Sequence, residues 1–269
     1  MIKADSHIHT ERSFDGEATL KQMADRAAEL GLDEIAVTDH RDYKWDTGED
    51  YACAIDFTEY VKNFQRARER TKKIRLTLGI EIGMMPAVGG VNEKLNALVA
   101  EHPFDFVIGS SHDCCGHSLY EGDFFDGKDK RAAYLDYFAE VLQNIKAVDF
   151  DVYGHLDYIT RYARYEDNAL DYIYYADVVD EILRELITRG KGLEINTSGY
   201  RYGLNTLHPQ TAILKRYREL GGEIITVGSD AHSPRFIAEH FDLAETALKE
   251  AGFTAYAVFR QRKPEFMKL

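Results

Sequence analysis

The sequence predicts an α/β fold, a parallel sheet with helices packed outside it. Three observations carry that prediction. Seven short, apolar, partly β-branched runs recur along the chain, as strands buried on both faces do. Amphipathic stripes at helical spacing lie between them. No low-complexity linker divides the series, so residues 1–269 read as a single domain. Periodicity leaves closure of the sheet open, because a barrel and an open doubly wound sheet give the same pattern.

The strands are expected at 2–6, 34–38, 74–81, 104–110, 151–154, 192–196 and 223–228. Leu20, Met23, Ala24, Ala27 and Leu30 form the first helical stripe, ended by Gly31. Phe57, Tyr60, Val61 and Phe64 form the second, opened by an Asp56/Glu59 capping-box pattern. Tyr134, Tyr137, Phe138, Val141, Leu142 and Ile145 keep the i, i+3, i+4 spacing best, and Val179, Ile182, Leu183 and Leu186 follow. Pro209 is expected to open a helix ended by Gly221, and a last helix carries Phe236 to Leu248 and ends at Gly252.

Composition narrows the function. Lys and Arg total 33 against 46 Asp and Glu, a formal charge of −13, which argues against a general nucleic-acid binder. It does not exclude a phosphate substrate, since bound metal ions reverse the local sign. The three cysteines, Cys53, Cys114 and Cys115, make a poor disulfide framework and point to a reducing compartment. The N-terminus has no apolar signal-peptide region, and no apolar run approaches the ~18 residues of a membrane span. The expectation is a soluble cytoplasmic protein without a membrane partner.

The informative residues sit where the strands end. His7 and His9 end the first, Asp39 and His40 the second, Glu81 the third. His112 follows the fourth, His155 the fifth, Asn196 and Ser198 the sixth, Asp230 and His232 the seventh. In α/β folds the C-terminal strand ends build the site. The i, i+2 pairs His7/His9 and Asp230/His232 project to one face if the backbone is extended. Imidazole suits Zn and Fe, and a carboxylate can bridge two ions. A lone strand-end histidine is ordinarily a solvated loop residue, and one HxH arises by chance. Seven polar strand ends in order, six of them with His, Asp or Glu, do not share that explanation. His102, His208 and His240 lie in or beside helical runs and are read as non-ligands.

These residues resemble a family, the polymerase and histidinol phosphatase (PHP) metallo-phosphoesterases. Nearly the whole chain carries the resemblance. It runs through Asp5-Ser-His-Ile-His-Thr10 with Ser13-Phe-Asp15, Thr38-Asp-His40, Gly79-Ile-Glu81, Ser111-His112, Gly154-His-Leu-Asp157 and Gly228-Ser-Asp-Ala-His232. Thr38-Asp-His-Arg-Asp42, Arg161-Tyr162 and Glu194-Ile-Asn-Thr197 look most like the stand-alone histidinol-phosphate phosphatases. The resemblance implies a distorted (β/α)7 barrel, TIM-barrel-like, and a centre of two to three divalent transition-metal ions (Zn, Mn or Fe). By motif, His7, His9, Glu81 and Asp230 would hold one ion. Glu81, His112 and His155 would hold a second, and Asp15, His40 and His232 a third. Asp15 enters on the resemblance alone, since it lies in a loop.

The implied chemistry is hydrolysis of a small phosphomonoester, with histidinol phosphate as the leading substrate. Two ions about 3.5–4 Å apart can hold a hydroxide in line with the P–O bond, with Glu81 as the natural bridge. Asp230 and His232 are candidates for assisting the leaving alkoxide, as is His117. Arg161 and Arg201 are candidates for stabilising phosphoryl charge, since a guanidinium fork matches phosphate oxygens. Asp42 and Asp113 are expected near the mouth to receive a substrate cation, and Ser198 and His117 to contact the organic half. Cys114 and Cys115 could add soft ligands, although the His/carboxylate set is complete without them. The competing readings are a phosphoesterase for nucleotides or nucleic-acid ends, and a metal-binding interaction domain without turnover. Oligomeric state is not legible in the sequence.

Overall fold

A computed structural model describes residues 1–51 and 55–269, so Cys53 lies outside the described residues. Seven parallel strands follow one another around a single sheet: β1 (Ala4–Ile8), β2 (Glu34–Val37), β3 (Arg75–Gly83), β4 (Phe106–Ser110), β5 (Val152–Tyr153), β6 (Gly192–Asn196) and β7 (Ile225–Gly228). Past its end, β7 returns to β1. Asp230 N–H donates to the His7 carbonyl (2.8 Å), His9 N–H donates to the Ala231 carbonyl (2.9 Å), and Ile8 bridges Ala231. The sheet is thus a nearly closed seven-stranded barrel, which settles what periodicity left open.

Among the described residues, seven helices of nine residues or more separate the strands and follow the last: α1 (Leu20–Glu29), α2 (Phe57–Arg70), α3 (Val91–Glu101), α4 (Lys130–Ala147), α5 (Ala176–Thr188), α6 (Thr211–Glu219) and α7 (Phe241–Glu250). Their apolar stripes are buried: Met23, Ala24 and Ala27 in α1, and Phe57, Tyr60, Val61 and Phe64 in α2. In α5 the stripe is Val179, Ile182, Leu183 and Leu186. Asp56 caps α2 by accepting from Thr58 N (3.0 Å) and Glu59 N (3.2 Å).

Several boundaries differ from expectation. β1 begins two residues later than read and takes in His7 and Ile8. β3 continues past Glu81 to Gly83, because a two-residue strand, His40–Arg41, pairs on it with His40 opposite Glu81. Helix α3 has no counterpart in the sequence reading, although Val91, Leu95 and Val99 keep four-residue spacing and are buried. Pro209 precedes α6 by two residues instead of opening it. The last helix is divided: a 3₁₀ turn takes Pro234–Phe236, and His240 becomes the left-handed residue before α7 (φ 60°).

The larger omission is an antiparallel hairpin, β8 (Ala255–Arg260) and β9 (Lys263–Lys268). It closes the N-terminal mouth of the barrel. Ala257 and Phe259 pack with Ala36, Phe106, Ile108 and Val152 in a small separate core. The Phe259 ring stacks on Phe106 at 4.9 Å. Arg260 donates to the buried Glu34 carboxylate at the start of β2 (Nη1 to Oε1, 2.6 Å), and Arg262 Nε donates to Asp151 (2.6 Å) just before β5.

With one end plugged, the opposite end is left for a site. Phe259→Ala should lower the unfolding free energy by about 3–5 kcal/mol, the range for a buried aromatic. Urea denaturation measures this. A loss below about 1 kcal/mol would mean that the hairpin is not a plug.

Candidate metal centre

Glu81 is the point on which the C-terminal end of the barrel converges. Its carboxylate is fully buried, and five imidazoles approach it. On Oε2 they are His40 Nδ1 (3.1 Å), His7 Nε2 (3.2 Å) and His9 Nε2 (3.5 Å). On Oε1 they are His155 Nε2 (2.9 Å) and His112 Nε2 (3.3 Å). Ser110 Oγ also donates to Oε1 (2.6 Å).

Around this centre the nine sequence-predicted positions fall into overlapping groups. His7, His9 and Asp230 form one, with His9 Nε2 at 3.5 Å and His7 Nε2 at 3.8 Å from Asp230 Oδ1. Glu81, His112 and His155 form a second. His9, His40 and His232 form a third, with the His9 ring stacked between them at 4.2 and 4.0 Å. Asp15, half-exposed in its loop, reaches His232 Nε2 at 3.1 Å and His40 Nε2 at 3.8 Å. Asp230 and His232 converge, but not by strand alternation, because Asp230 is left-handed (φ 54°). Aspartate tolerates that region better than most residues.

Four of the imidazoles share one orientation, and His40 is turned the other way, with Nδ1 on Glu81. His7 Nδ1 faces Glu194 (2.6 Å), His9 Nδ1 faces Ser13 Oγ (3.1 Å), His112 Nδ1 faces Asp42 (2.8 Å) and His232 Nδ1 faces the Asp230 carbonyl (3.0 Å). An oxygen partner on Nδ1 holds the tautomer that leaves Nε2 free as a ligand. Behind them, Asp39 accepts from Thr10 N (2.6 Å), Ser13 Oγ (2.9 Å) and Tyr60 O–H (2.9 Å). Asp5 accepts from Ser229 N (3.0 Å) and Ala238 N (2.9 Å), fixing the turn that carries Asp230. Glycine is required at Gly228, where an added Cβ would come within 2.4 Å of both Glu194 Oε1 and the His7 Cβ.

The charges are in tension. Burial alone would raise the Glu81 carboxyl, yet His7, His112 and His40 hold it well below the usual range. Burial would lower His7, but Glu194 and Glu81 hold it well above. His9 is pushed down by burial and by His232 and His40, and His155 by burial. Five buried atoms of the cluster make no well-aligned hydrogen bond, although opposite charges lie near them: Glu81 Oε2, His40 Nδ1, Asp42 Oδ2, His155 Nδ1 and His232 Nε2. Buried polar atoms rarely go unpaired. Nitrogen and carboxylate donors that converge while unpaired fit divalent transition metals.

Four of the predicted substrate contacts are placed differently. Asp42 does not stand free at the mouth; it joins His112 Nδ1 to His40 Nδ1 (3.2 Å), so its charge is already engaged. Arg201 Nη1 donates to the Asp230 carbonyl (2.9 Å), Nη2 to the Ser229 carbonyl and Nε to Glu239 (3.2 Å). It therefore braces the turn after β7 instead of offering a free fork. His117 is exposed and paired with Asp123 (2.8 Å). Ser198 accepts from Arg161 and donates to Asn196 Oδ1 (2.6 Å), so it anchors an arginine.

Arg161 does reach the cluster. Its side chain is 5% exposed, sandwiched between the rings of Tyr158 (4.6 Å) and Tyr202 (4.1 Å), with Nη2 at 3.6 Å from Asp230 Oδ2. Its Nε is buried without a partner. Among the described residues no cation pairs with Asp113, and burial and Asp42 push its carboxyl up to about 7. His208, read as a non-ligand, is buried with Nδ1 on Asp157 (2.5 Å). The sequence reading gave no role to Glu194. A signal existed: Glu194 and Asn196 alternate along a buried strand, as Asp5, His7 and His9 do.

Known proteins match the chain closely. A model of the PHP domain matches residues 5–198. The chain is 32% identical to a histidinol-phosphatase of Lactococcus lactis over 98% of its length and 96% of the relative's. It is also 32% identical to a protein of Clostridium acetobutylicum named probable histidinol-phosphatase, over 92% of each. It superimposes with a TM-score of 0.88, at 30% identity and 98% coverage of both chains, on the crystal structure of a histidinol phosphate phosphatase from Lactococcus lactis complexed with Zn, L-histidinol and phosphate. With six strand ends delivering the His and carboxylate donors of the cluster centred on Glu81, and with these full-length relatives, the chain belongs to the PHP family, among the histidinol-phosphatases.

Proposed function

We propose that this protein is a metal-dependent phosphomonoesterase that hydrolyses L-histidinol phosphate to L-histidinol and phosphate. The observation that carries the reading is Glu81, a buried carboxylate within 3.5 Å of five imidazoles and short of a partner on Oε2. The relative solved with zinc, L-histidinol and phosphate supports it.

Residues 1–269 act as one barrel domain in the cytoplasm. His7, His9, Glu81 and Asp230 would hold one ion, Glu81, His112 and His155 a second, and Asp15, His40 and His232 a third. When bound, divalent ions supply Lewis acidity, which activates water and offsets phosphoryl charge. Glu81 is shared, so it fixes the spacing of the first two positions. Glu194 and Asp42 lock His7 and His112 with Nε2 facing inward. Arg161, held by Ser198 and two tyrosine rings, points a guanidinium at the space beside Asp230 and binds phosphoryl oxygens there. Asp113 receives the cationic end of the substrate in place of Asp42, since it lacks a positive partner.

The direct test is phosphate release after metal is restored. L-Histidinol phosphate should be preferred over nucleoside monophosphates and oligonucleotide ends by at least about tenfold in kcat/KM, equivalent to ~1.4 kcal/mol. Glu81→Ala should abolish turnover and lower bound metal together. A preference for nucleotides, or near-normal turnover in Glu81→Ala, would contradict the proposal.

Arg161→Ala should cost about 1.5–3 kcal/mol of transition-state binding, or roughly ten- to a hundredfold in kcat/KM, with bound metal unchanged. Arg161→Lys should recover only part, because an ammonium lacks the fork. A kcat/KM within about twofold of the parent would remove Arg161 from the reaction.

Glu194→Gln should weaken metal affinity about 10–100-fold through the loss of His7 orientation, with turnover regained in excess metal. A metal titration superimposable on the parent's would show that Glu194 does not position His7.

A further inference from the structure

The loop after β4 carries a second set of donors that the barrel-mouth cluster does not use. Its residues Asp113–Cys114 and His117–Ser118 form a small antiparallel ribbon. The turn between them places Cys115 (φ 55°) and Gly116 (φ 73°) both in the left-handed region, as a type I′ turn requires. Asparagine or glycine normally occupies the Cys115 position. Here the turn brings two adjacent thiols to 3.6 Å between sulfurs. A disulfide would need about 2.05 Å. Two thiolates each ~2.3 Å from one tetrahedral ion lie about 3.8 Å apart, close to the separation observed.

A third donor comes from α4. Glu140 is 5% exposed and accepts the Cys115 N–H on Oε2 (2.7 Å). Its Oε1 is buried and has no hydrogen-bond partner. Donor atoms of Cys114, Cys115 and Glu140 all lie within 4.8 Å of one another. The cation nearest in charge influence, Lys128, is committed to Asp136 (3.0 Å) and to the face of Phe124 (3.9 Å). Cys114 is buried and Cys115 exposed, so the cluster has a closed side and an entry side.

We propose that Cys114, Cys115 and Glu140 form a separate binding site for one thiophilic divalent cation of the zinc class. Two thiolates and a carboxylate complete three positions of a tetrahedron, and water takes the fourth from the exposed side. The ion fastens the ribbon after β4 to α4. It thereby braces the loop that begins at His112, two residues before Cys114. The site is structural, and its sulfur ligands distinguish it from the all-nitrogen-and-oxygen cluster around Glu81.

Sulfur also supplies the test. The full-length protein, held reduced, is titrated with Co²⁺, and thiolate-to-cobalt charge-transfer absorption is read in the near ultraviolet. The Glu81 cluster cannot produce that band. The parent should develop it to the intensity of one thiolate-bound ion per chain, whatever further Co²⁺ the Glu81 cluster takes up, and Cd²⁺ should displace it. Cys115→Ser, an exposed substitution that spares the buried Cys114, should weaken cobalt binding at this band by at least about tenfold. Glu140→Gln, which retains both sulfurs, should do the same. Absence of the band in the fully reduced parent would overturn the site. So would a band unchanged in Cys115→Ser, which would belong to another thiol, Cys53 included. A titration unchanged in Glu140→Gln would remove the carboxylate and with it the assignment.

Discussion

Everything at the open end of this barrel answers to one buried charge. Glu81 sits within β3 with no exposed surface, and a carboxylate in that position is tolerable only if positive charge surrounds it. Five imidazoles from three strand ends and the His40–Arg41 strand provide donors aimed at it. Imidazoles crowded together cannot all be protonated, and His9 and His155 are driven towards the neutral form. His7, His40 and His112 are held towards the charged form, so protons answer the buried charge only in part. Divalent ions serve better, because neutral imidazoles and a carboxylate can share them without mutual repulsion.

The barrel is built to keep that arrangement rigid. Oxygens behind the ligands fix ring orientation, and those oxygens are themselves tied down: Asp39 by Thr10, Ser13 and Tyr60, and Asp5 by the turn after β7. Arg201 joins the same task by holding the Ser229 and Asp230 carbonyls. The missing side chain at Gly228 lets Glu194 on β6 reach His7 on β1 across β7, which lies between them. At the other end, Phe259 and Arg260 close the barrel, so accuracy at the site does not compete with an open core.

Sequence reasoning reached far because the side chains of the cluster sit on the most patterned part of the fold. Strand ends recur in order, and eight residues picked from them, with Asp15 supplied from a loop by family likeness, converge within one cluster. Other features had weaker local signals. The β8–β9 turn places Gln261 and Arg262 at positive φ, where glycine or asparagine would have announced a hairpin. The position of Asp42 depends on His40–Arg41 pairing with β3, and its partner His112 lies 70 residues away. Arg201 and Arg161 look alike as residue types. Only their surroundings separate an arginine spent on backbone carbonyls from one presented to the cluster.

The central claim is that Glu81 joins two ions. Anomalous diffraction from crystals of the zinc-loaded protein, recorded on either side of the zinc absorption edge, tests it most directly. The account predicts at least two peaks, each within ~2.0–2.2 Å of a different Glu81 carboxylate oxygen or sharing one, with His7 and His9 on one and His112 and His155 on the other. A single peak, or peaks placed so that Glu81 contacts none of them, would contradict it.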